Sequence, residues 1–282
     1  MKDLRSRAIS PPSASPKFEI APRRAPLRTA SVDVLVFDLF FSTPRETLRN
    51  RGVYFEFGAQ NGVKDSATLF FETYFGWSGT LVEPSSACVD EISLSRSANV
   101  INAAVCGTDT RVDQTVERTI PFTEGVWCQA KRETVQRRCP SLGKILEHER
   151  ITHIDFLIAD TEGGEIDALM SIDWTSVTIC VMLLEWRPED GEKGRAFFGA
   201  LGYQSIHVPL PEHHMGQSAV VTDELYWRAG KGCEYIADIN LDVPSAAVEI
   251  YARNGLRHET DRFSKVVGKM PPSCKPDGVR CF

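Results

Sequence analysis

Short apolar runs rich in β-branched and aromatic residues alternate with helical patterns from Val53 onward, and this alternation constrains the fold more than any other feature. The runs that predict parallel strands are VYFEF at Val53–Phe57, TLVE at 80–83, NVINAAV at 99–105, IDFLIAD at 154–160 and VTICVMLLE at 177–185. Between them apolar residues recur at helical spacing, as at Ala67, Phe70 and Phe71 before Gly76. Runs at 202–210 and 223–228 predict a closing antiparallel strand pair. The fold expected is a doubly wound, mostly parallel α/β sheet with helices on both faces.

Composition divides the chain into four segments. Residues 1–30 carry seven basic and two acidic residues among many Ser and Pro, which is typical of a disordered tail or an organelle transit peptide. Residues 31–44 are an apolar lead-in, expected to pack as a helix or strand against the domain. The main domain is predicted over 45–232, with one strand (VDQTVERTI) and one helix (LGKILEHER) indicated inside its least regular part. Residues 233–282 form a C-terminal extension of unknown role.

The charge distribution narrows the classes of partner. The net charge is −6, and because residues 1–30 carry +5, the rest of the chain carries −11. An acidic domain repels phosphate backbones, so no nucleic-acid partner is expected. The chain has no run of 18 apolar residues, so no membrane span is expected either.

The eight cysteines form no CxxC pair, which argues against zinc ribbons and thioredoxin-like sites. They are too scattered to reveal a disulfide framework, and Cys180, inside an apolar run, is expected to be a core thiol. This favours a reducing compartment, cytoplasmic or organellar, over secretion. The segment 148–153, HERITH, is one residue too long for an HExxH zinc motif. The two imidazoles would point apart on a helix, and no metal site is expected.

The segment EFGAQNG brings an acidic residue and two glycines to the end of the first predicted strand. Gly58 and Gly62 would let the backbone turn sharply and approach a ligand at the carboxyl ends of the strands. The spacing is G-x-x-x-G, which differs from the G-x-G-x-x-G of dinucleotide enzymes, and no Walker lysine follows.

Acidic residues recur at or near the ends of the predicted strands. They are Glu56, Glu83, Asp160, Glu162 and Glu185. Glu83, which comes 21 positions after Gly62, has the position of a carboxylate that accepts the hydroxyls of a ribose. A phosphate-free nucleoside suits such an acidic rim, and S-adenosylmethionine, which carries cationic sulfonium and ammonium groups, fits it well.

The motifs YFEFGAQNG, GWSGTLVEP and IDFLIADTEGGE, in this order and at this spacing, resemble those of the FkbM-type methyltransferases over residues 50 to 230. The resemblance implies a Rossmann-like methyltransferase sheet with S-adenosylmethionine as cofactor, and it implies roles for three sets of residues. The methionine end of the cofactor would be lined by Glu56, Gly58, Ala59, Asn61 and Gly62, with Ser66 and Thr68 near its carboxylate. Glu83 would bind the ribose, Asn102 or Ala103 would lie near the adenine, and Asp160 and Glu162 would face the transferred methyl group.

The implied activity is methyl transfer to a hydroxyl oxygen of a small molecule or sugar, with Asp160 or Glu185 as general base. Each acid also has a purely structural interpretation: Asp160 as a helix N-cap, Glu185 as a surface residue, and Glu165 as a first-turn residue favoured by the helix dipole. Two alternatives remain at this point. One is a dinucleotide-dependent oxidoreductase on a similar fold, and the other is an inactive protein that keeps the fold for interactions.

Overall fold

The computed structural model describes residues 30–41, 51–63, 66–119, 130–161, 163–208, 222–230 and 232–236. The helices are α1 (Ala30–Val36), continued by a π-helical turn (Phe37–Phe41), α2 (Thr68–Phe75), α3 (Ser86–Ser95), α4 (Leu142–His148), α5 (Glu165–Met170) and α6 (Pro188–Ala200). The strands are β1 (Val53–Phe57), β2 (Ser78–Val82), β3 (Asn99–Ile101), β4 (Thr110–Thr119), β5 (Ala130–Cys139), β6 (His153–Ala159), β7 (Thr178–Trp186), β8 (Gln204–Val208) and β9 (Thr222–Trp227). The tail, the lead-in beyond Phe41 and the extension beyond Ile236 lie largely outside these residues.

Seven strands form one sheet in the order β3-β2-β1-β6-β7-β9-β8. The pairs from β3 to β7 are parallel, whereas β9 runs antiparallel to both β7 and β8. The chain winds outward from β1 to β3 and then returns to β6 on the other side of β1, so the order reverses between β1 and β6. This arrangement confirms the predicted fold class, with its closing antiparallel pair. A reversal of this kind is where open α/β sheets bind ligands, at the carboxyl ends of the strands.

Two cores cover the two faces of the sheet, and the alternation of side chains along each strand assigns residues to one or the other. Tyr54 and Phe156 belong to the core under α1, α2 and α3, while Phe55 and Leu157 belong to the core under α4, α5 and α6. The strands β6 and β7 are apolar almost throughout because both of their faces are covered.

The described residues of the apolar lead-in pack against the sheet and its helices. Val36 is fully buried, and the Phe41 ring meets the ring of Trp77 edge-on with centroids 4.8 Å apart. Cys233 and Ile236, just beyond β9, are buried in the same core. One hydrophobic core therefore contains residues of the lead-in, of the sheet and of the turn just beyond β9.

Residues 106–150 contain a feature that the sequence pattern shows only in part. The predicted strand VDQTVERTI lies in β4, but β4 pairs antiparallel with β5 in a separate two-stranded sheet. The sequence of β5, AKRETVQRRC, is too polar to be recognised as a strand by periodicity. The predicted third strand is also shorter than expected, since β3 ends at Ile101.

Two disulfide bonds correct the expectation about cysteines. Cys106 is bonded to Cys139 and Cys180 to Cys233, with Cα atoms 5.5 Å apart in each pair. Cys180 is buried, as predicted, but it is half of a disulfide and not a lone core thiol. The partners are 33 and 53 residues apart, and only the sheet topology brings them together. The cysteines therefore no longer favour a reducing compartment.

Within the described part of the chain, no helix combines the length and the apolar character that crossing a bilayer requires.

Candidate active site

The carboxyl ends of β1, β2, β6 and β7 meet at one edge of the sheet, next to the start of the antiparallel β9. Gly58, Glu83, Asp160 and Arg187 follow these four parallel strands directly or within one residue. Residues that are more than a hundred positions apart in the sequence therefore lie at the same edge of the sheet.

Gly58 is required by the close approach of two strand ends. Its φ is +83°, and a Cβ atom at this position would lie 1.6 Å from the carbonyl oxygen of Asp160. The Gly58 amide donates to the carbonyl oxygen of Val82 at 3.0 Å, and the Asp160 amide donates to that of Phe57 at 3.1 Å. A side chain would push β1 and β6 apart where the strand order reverses. Because Gly58 has no side chain, its backbone is uncovered at the point where the strand order reverses.

Glu83 holds the turn after β1 against the start of α3. Its Oε2 accepts from the Gln60 amide at 2.9 Å, and its Oε1 accepts from the Ser85 amide at 2.8 Å. The side chain is buried with no cation among these contacts, and burial raises the pKa of Glu83 to about 7. Each carboxylate oxygen keeps a lone pair beyond these bonds, so the group can still accept from a bound ligand.

Glu56 is buried and bonded to protein hydroxyls. It accepts from Ser66 Oγ at 2.8 Å and from Thr68 Oγ1. Burial raises the pKa of Glu56, and the positive charge of Arg96 opposes that rise. In this structure Ser66 and Thr68 therefore contact Glu56, the acid that the sequence places at the methionine end of the cofactor.

Arg96, which the sequence analysis missed, is the cation of this cluster. Its guanidinium donates to the Gly62 carbonyl oxygen at 2.5 Å, to Ser66 Oγ at 2.9 Å and to Thr68 Oγ1 at 3.0 Å. It also pairs with Glu72 at 2.9 Å, and its side chain is fully buried. Arg96 follows α3 outside any motif. The only indication in the sequence was that Glu56, if buried, would need a cation nearby.

Ala59, Asn61 and Asn102 complete the predicted cofactor set. Ala59 is buried, and Asn61 Oδ1 accepts from the Val63 amide at 3.1 Å. Asn102 Nδ2 donates to the Glu83 carbonyl oxygen at 2.9 Å, which ties the end of β3 to the end of β2. Asn102 and Ala103 also border a cavity of about 1140 Å³ whose other walls come from β4, β5 and α4.

The loop after β6 is organised by Glu165. Its Oε1 accepts from the amides of Thr161 and Gly163, both at 2.8 Å, and from Thr161 Oγ1 at 2.7 Å. Glu165 is buried, and within the described residues its Oε2 has no hydrogen-bond partner. The role is larger than that of a first-turn residue in the helix dipole, because Glu165 fixes the loop next to Asp160. Glu162, the other predicted residue here, lies outside the described residues.

Asp223, at the start of β9, joins the edge from the antiparallel strand, and the sequence analysis missed it. It stands opposite Glu185 in the register of β7 and β9. Burial of its carboxyl group, with a further contribution from the negative charge of Asp160, raises the pKa of Asp223 to about 8. The negative charge of Asp160 also makes a small contribution to the raised pKa of Glu56.

Arg187 modifies the prediction of a purely acidic edge. A Cβ atom on Gly163 would lie 2.7 Å from the Arg187 guanidinium carbon, so the arginine packs directly over the loop after β6. None of the quoted sequence motifs predicts this contact, because Arg187 follows the end of β7, where the sequence matches no motif. Among the described residues, the edge therefore combines several carboxylates with the guanidinium of Arg187.

A sheet with this strand order, a bare glycine turn after β1 and a buried acid after β2 defines a Rossmann-like methyltransferase. A family model described as the methyltransferase FkbM domain matches residues 56–205, which is just over half of the chain. The chain belongs to the FkbM methyltransferase family. No curated protein is significantly similar to it in sequence.

Several solved methyltransferase structures are similar to this chain at low identity. A human methyltransferase 10 domain containing protein shares 13% identity with a TM-score of 0.40, over 72% of this chain and 82% of its own. The precorrin-6y C5,15-methyltransferase of Geobacter metallireducens shares 12%, with a TM-score of 0.38 over 71% and 87% of the two chains. TrmK of M. capricolum, solved with S-adenosyl-homocysteine, shares 8%, with a TM-score of 0.38 over 80% and 84%.

The residues present fit S-adenosylmethionine, the cofactor of this family. Gly58 provides a backbone surface that any side chain would fill. Glu83 offers unused acceptor positions, and the other acids of the edge suit a cofactor that carries positive charge and no phosphate. The same edge offers no glycine-rich phosphate loop of the dinucleotide type among its described residues.

Proposed function

We propose that this protein is an S-adenosylmethionine-dependent O-methyltransferase that acts on a hydroxyl group of a small molecule or sugar. The observation that carries the proposal is the placement of Glu83, Asp160 and Asp223 along the carboxyl edge of one sheet, with the bare backbone of Gly58 between Glu83 and Asp160. Family membership supports methyl transfer, and the position of Asp223 supports an acceptor that must lose a proton.

Glu83 binds the ribose in this proposal. Two of its lone pairs hold the amides of Gln60 and Ser85, which orient the carboxylate, and the remaining pairs accept the two ribose hydroxyls. The raised pKa of Glu83 describes the protein without ligand. Hydroxyl donors stabilise the ionised form, so cofactor binding and ionisation of Glu83 favour each other.

Asp223 serves as the general base, with Asp160 beside it at the reacting centre. When bound, S-adenosylmethionine supplies a methyl carbon that is already electrophilic, so the protein has to align the acceptor and remove one proton. A carboxylate with a pKa of about 8 is a stronger base than an ordinary aspartate and accepts the proton from the acceptor hydroxyl at Oδ. Alignment of acceptor and donor accounts for about 7–11 kcal/mol of the barrier.

The acceptor is expected to be small and free of a phosphate backbone. Repulsion by the carboxylates of Glu185 and Asp160 disfavours an anionic chain. This supports a hydroxylated metabolite or sugar over nucleic acid.

Calorimetric titration with S-adenosylmethionine tests the cofactor assignment. Glu83→Ala is expected to lower affinity by about 10- to 150-fold, equivalent to about 1.5–3 kcal/mol, because it removes the charged acceptor of two hydroxyls. The matched control is Asp90→Ala, an exposed acid on α3, which should leave affinity unchanged. Equal affinity of wild type and Glu83→Ala would disprove the role of Glu83.

Mass spectrometry of hydroxylated metabolites and sugars incubated with enzyme and cofactor tests the activity. The expected result is an acceptor that gains the mass of one CH₂ together with one equivalent of S-adenosylhomocysteine. Cofactor binding without turnover across the panel would favour the inactive interaction protein instead, and binding of NADH would favour the oxidoreductase.

A further inference from the structure

A second cluster of chemically reactive side chains lies at the opposite end of the strands. His153 is the first residue of β6, and Cys180 lies near the beginning of β7, so both are at the amino-terminal edge of the sheet. Among the described residues, His153, Asp155 and Cys180 are the one group of three in which a nitrogen, an oxygen and a sulfur that can bind a metal all lie within 4.8 Å of one another. The Cys180–Cys233 disulfide places a second sulfur next to that of Cys180, although Cys233 is not in the group whose donor atoms all lie within 4.8 Å of one another.

The four side chains make a donor set that zinc prefers. Two sulfurs, one imidazole nitrogen and one carboxylate oxygen are ligand types that zinc accepts, and four such ligands satisfy its tetrahedral coordination. His153 Nε2 and Asp155 Oδ1 form a hydrogen bond of 3.0 Å, and they would have to separate only to about 3.3 Å to bind one tetrahedral zinc ion as ligands about 2.0–2.1 Å from it. Cys180, Cys233 and Asp155 are buried, which would shield the ion from water.

Asp155 is held in place by protein groups that are not themselves ligands. Its Oδ2 accepts from the Val53 amide at 2.8 Å, and its Oδ1 accepts from the Tyr235 hydroxyl at 2.9 Å. Contacts of this kind orient the carboxylate ligands of metal sites and raise metal affinity. One of these donors belongs to the main sheet and the other to the turn that carries Cys233, so Asp155 is fixed by both parts of the structure.

We propose that reduction of the Cys180–Cys233 disulfide converts this cluster into a zinc site formed by His153, Asp155, Cys180 and Cys233. A thiol reductant supplies two electrons and two protons, the S–S bond breaks, and the reductant becomes a disulfide. Zinc binding then releases the two thiol protons and forms two Zn–S bonds, one Zn–N bond and one Zn–O bond. The sulfurs must separate to about 3.8 Å, as two ligands about 2.3 Å from one tetrahedral ion require.

The consequence is that the segment after β9 is fastened to the sheet in either redox state. In the oxidised state a disulfide joins Cys233 to β7, and in the reduced state the ion joins it to both β6 and β7. Cys233 is carried by the turn beyond β9 and not by a strand, so it is the partner that moves when the sulfurs separate.

Metal titration of the full chain tests the proposal without relying on activity. Protein reduced with a phosphine under anaerobic conditions is titrated with Co²⁺, whose visible bands report tetrahedral thiolate coordination, and the cobalt is then displaced by Zn²⁺. One equivalent should bind to the reduced protein and none to the oxidised protein. Failure of the reduced protein to bind one equivalent would overturn the proposal.

Variants identify the ligands. Cys180→Ser should abolish the thiolate bands, and His153→Gln, at a partly exposed position, should weaken binding by more than about 100-fold while the oxidised protein keeps its disulfide. Tyr235→Phe, which removes only a support of Asp155, should weaken binding by about 10- to 100-fold. Cys88→Ser and the double variant Cys106→Ser/Cys139→Ser are controls that should bind normally. An unchanged cobalt spectrum in Cys180→Ser or unchanged affinity in His153→Gln would show that the metal binds elsewhere.

Discussion

Three buried or partly buried acids at the carboxyl edge differ in what surrounds them. Glu56 lies near Arg96 and accepts two hydroxyl hydrogen bonds, so its charge is partly compensated. Glu83 and Asp223 have no cation among the contacts that set their pKa values, which rise to about 7 and about 8. Perturbed carboxylates of this kind concentrate where a protein binds charge or moves protons. These acids therefore differ in how their charge is compensated: Glu56 has a cation beside it, whereas Glu83 and Asp223 have none among these contacts.

Asp223→Asn tests the proposed base. In the wild type, kcat/KM is expected to rise with pH and level off above about 8, because the base acts only when ionised. The variant should lose about 10²–10⁴-fold in kcat/KM and should lose the rising limb. Asp90→Asn, on the exposed face of α3, is the control. A variant that kept the full rate and the same rising limb would rule out Asp223.

Glu83→Gln tests the cost of burying an ionisable group. The folded pKa of about 7 lies above the ordinary value of 4.5, so protonated Glu83 contributes stability below about pH 4.5, and this contribution is lost as pH rises through about 7. Between about pH 5 and 8 the unfolding free energy of the wild type should therefore fall relative to Glu83→Gln by about 1–3 kcal/mol. Urea denaturation without cofactor measures the difference. A constant gap across this pH range would contradict the raised pKa.

Gly58→Ala tests the close approach of β1 and β6. Gly76 offers a matched control, since it also has positive φ (+64°) but no atom within 4 Å of an added Cβ. Gly76→Ala should cost about 1–2 kcal/mol from backbone strain alone. Gly58→Ala should cost about 1–3 kcal/mol more from overpacking and should lose cofactor binding. Equal effects of the two substitutions on thermal unfolding and on calorimetric affinity would refute the contact.

At the scale of helices and strands, the sequence predicted the elements whose pattern lies in neighbouring residues. β1, α2 and β6 appear at or within two residues of their expected positions, because apolar periodicity and the glycine that ends α2 are visible in adjacent residues. The strand β5 was not predicted, because its sequence is polar and its partner in the structure is β4 alone among the described strands. Its stability depends on a partner strand and on the Cys106–Cys139 bond at its base, neither of which leaves a local pattern.

The Cys106–Cys139 disulfide is expected to stabilise the insertion that contains β4 and β5. Closing a loop of 33 residues removes denatured-state entropy equivalent to about 3.5–4 kcal/mol. The double variant Cys106→Ser/Cys139→Ser should lower the unfolding free energy toward that amount in oxidising buffer. In reducing buffer, where the wild type also lacks the bond, the two proteins should match. An identical denaturation midpoint in oxidising buffer would contradict the prediction.

At the scale of the whole molecule, fold class and family follow from the motifs, but the complete site does not. Glu83 and Gly58 lie at the ends of predicted strands, so their meeting at one edge is a consequence of parallel topology. Asp223 joins them because β9 runs antiparallel beside β7, and Arg187 because its side chain folds back over Gly163. Both depend on long-range register and side-chain direction, which one sequence does not reveal. The disulfide partners were missed for the same reason.

The acidic edge around Gly58 and Glu83 is expected to bind S-adenosylmethionine and to reject phosphate-bearing dinucleotides. The most direct measurement is calorimetric titration of the wild-type protein with S-adenosylmethionine and, separately, with NADH. We predict saturable binding of one equivalent of S-adenosylmethionine and no heat of binding with NADH. Binding of NADH, or no binding of S-adenosylmethionine to folded protein, would contradict this assignment.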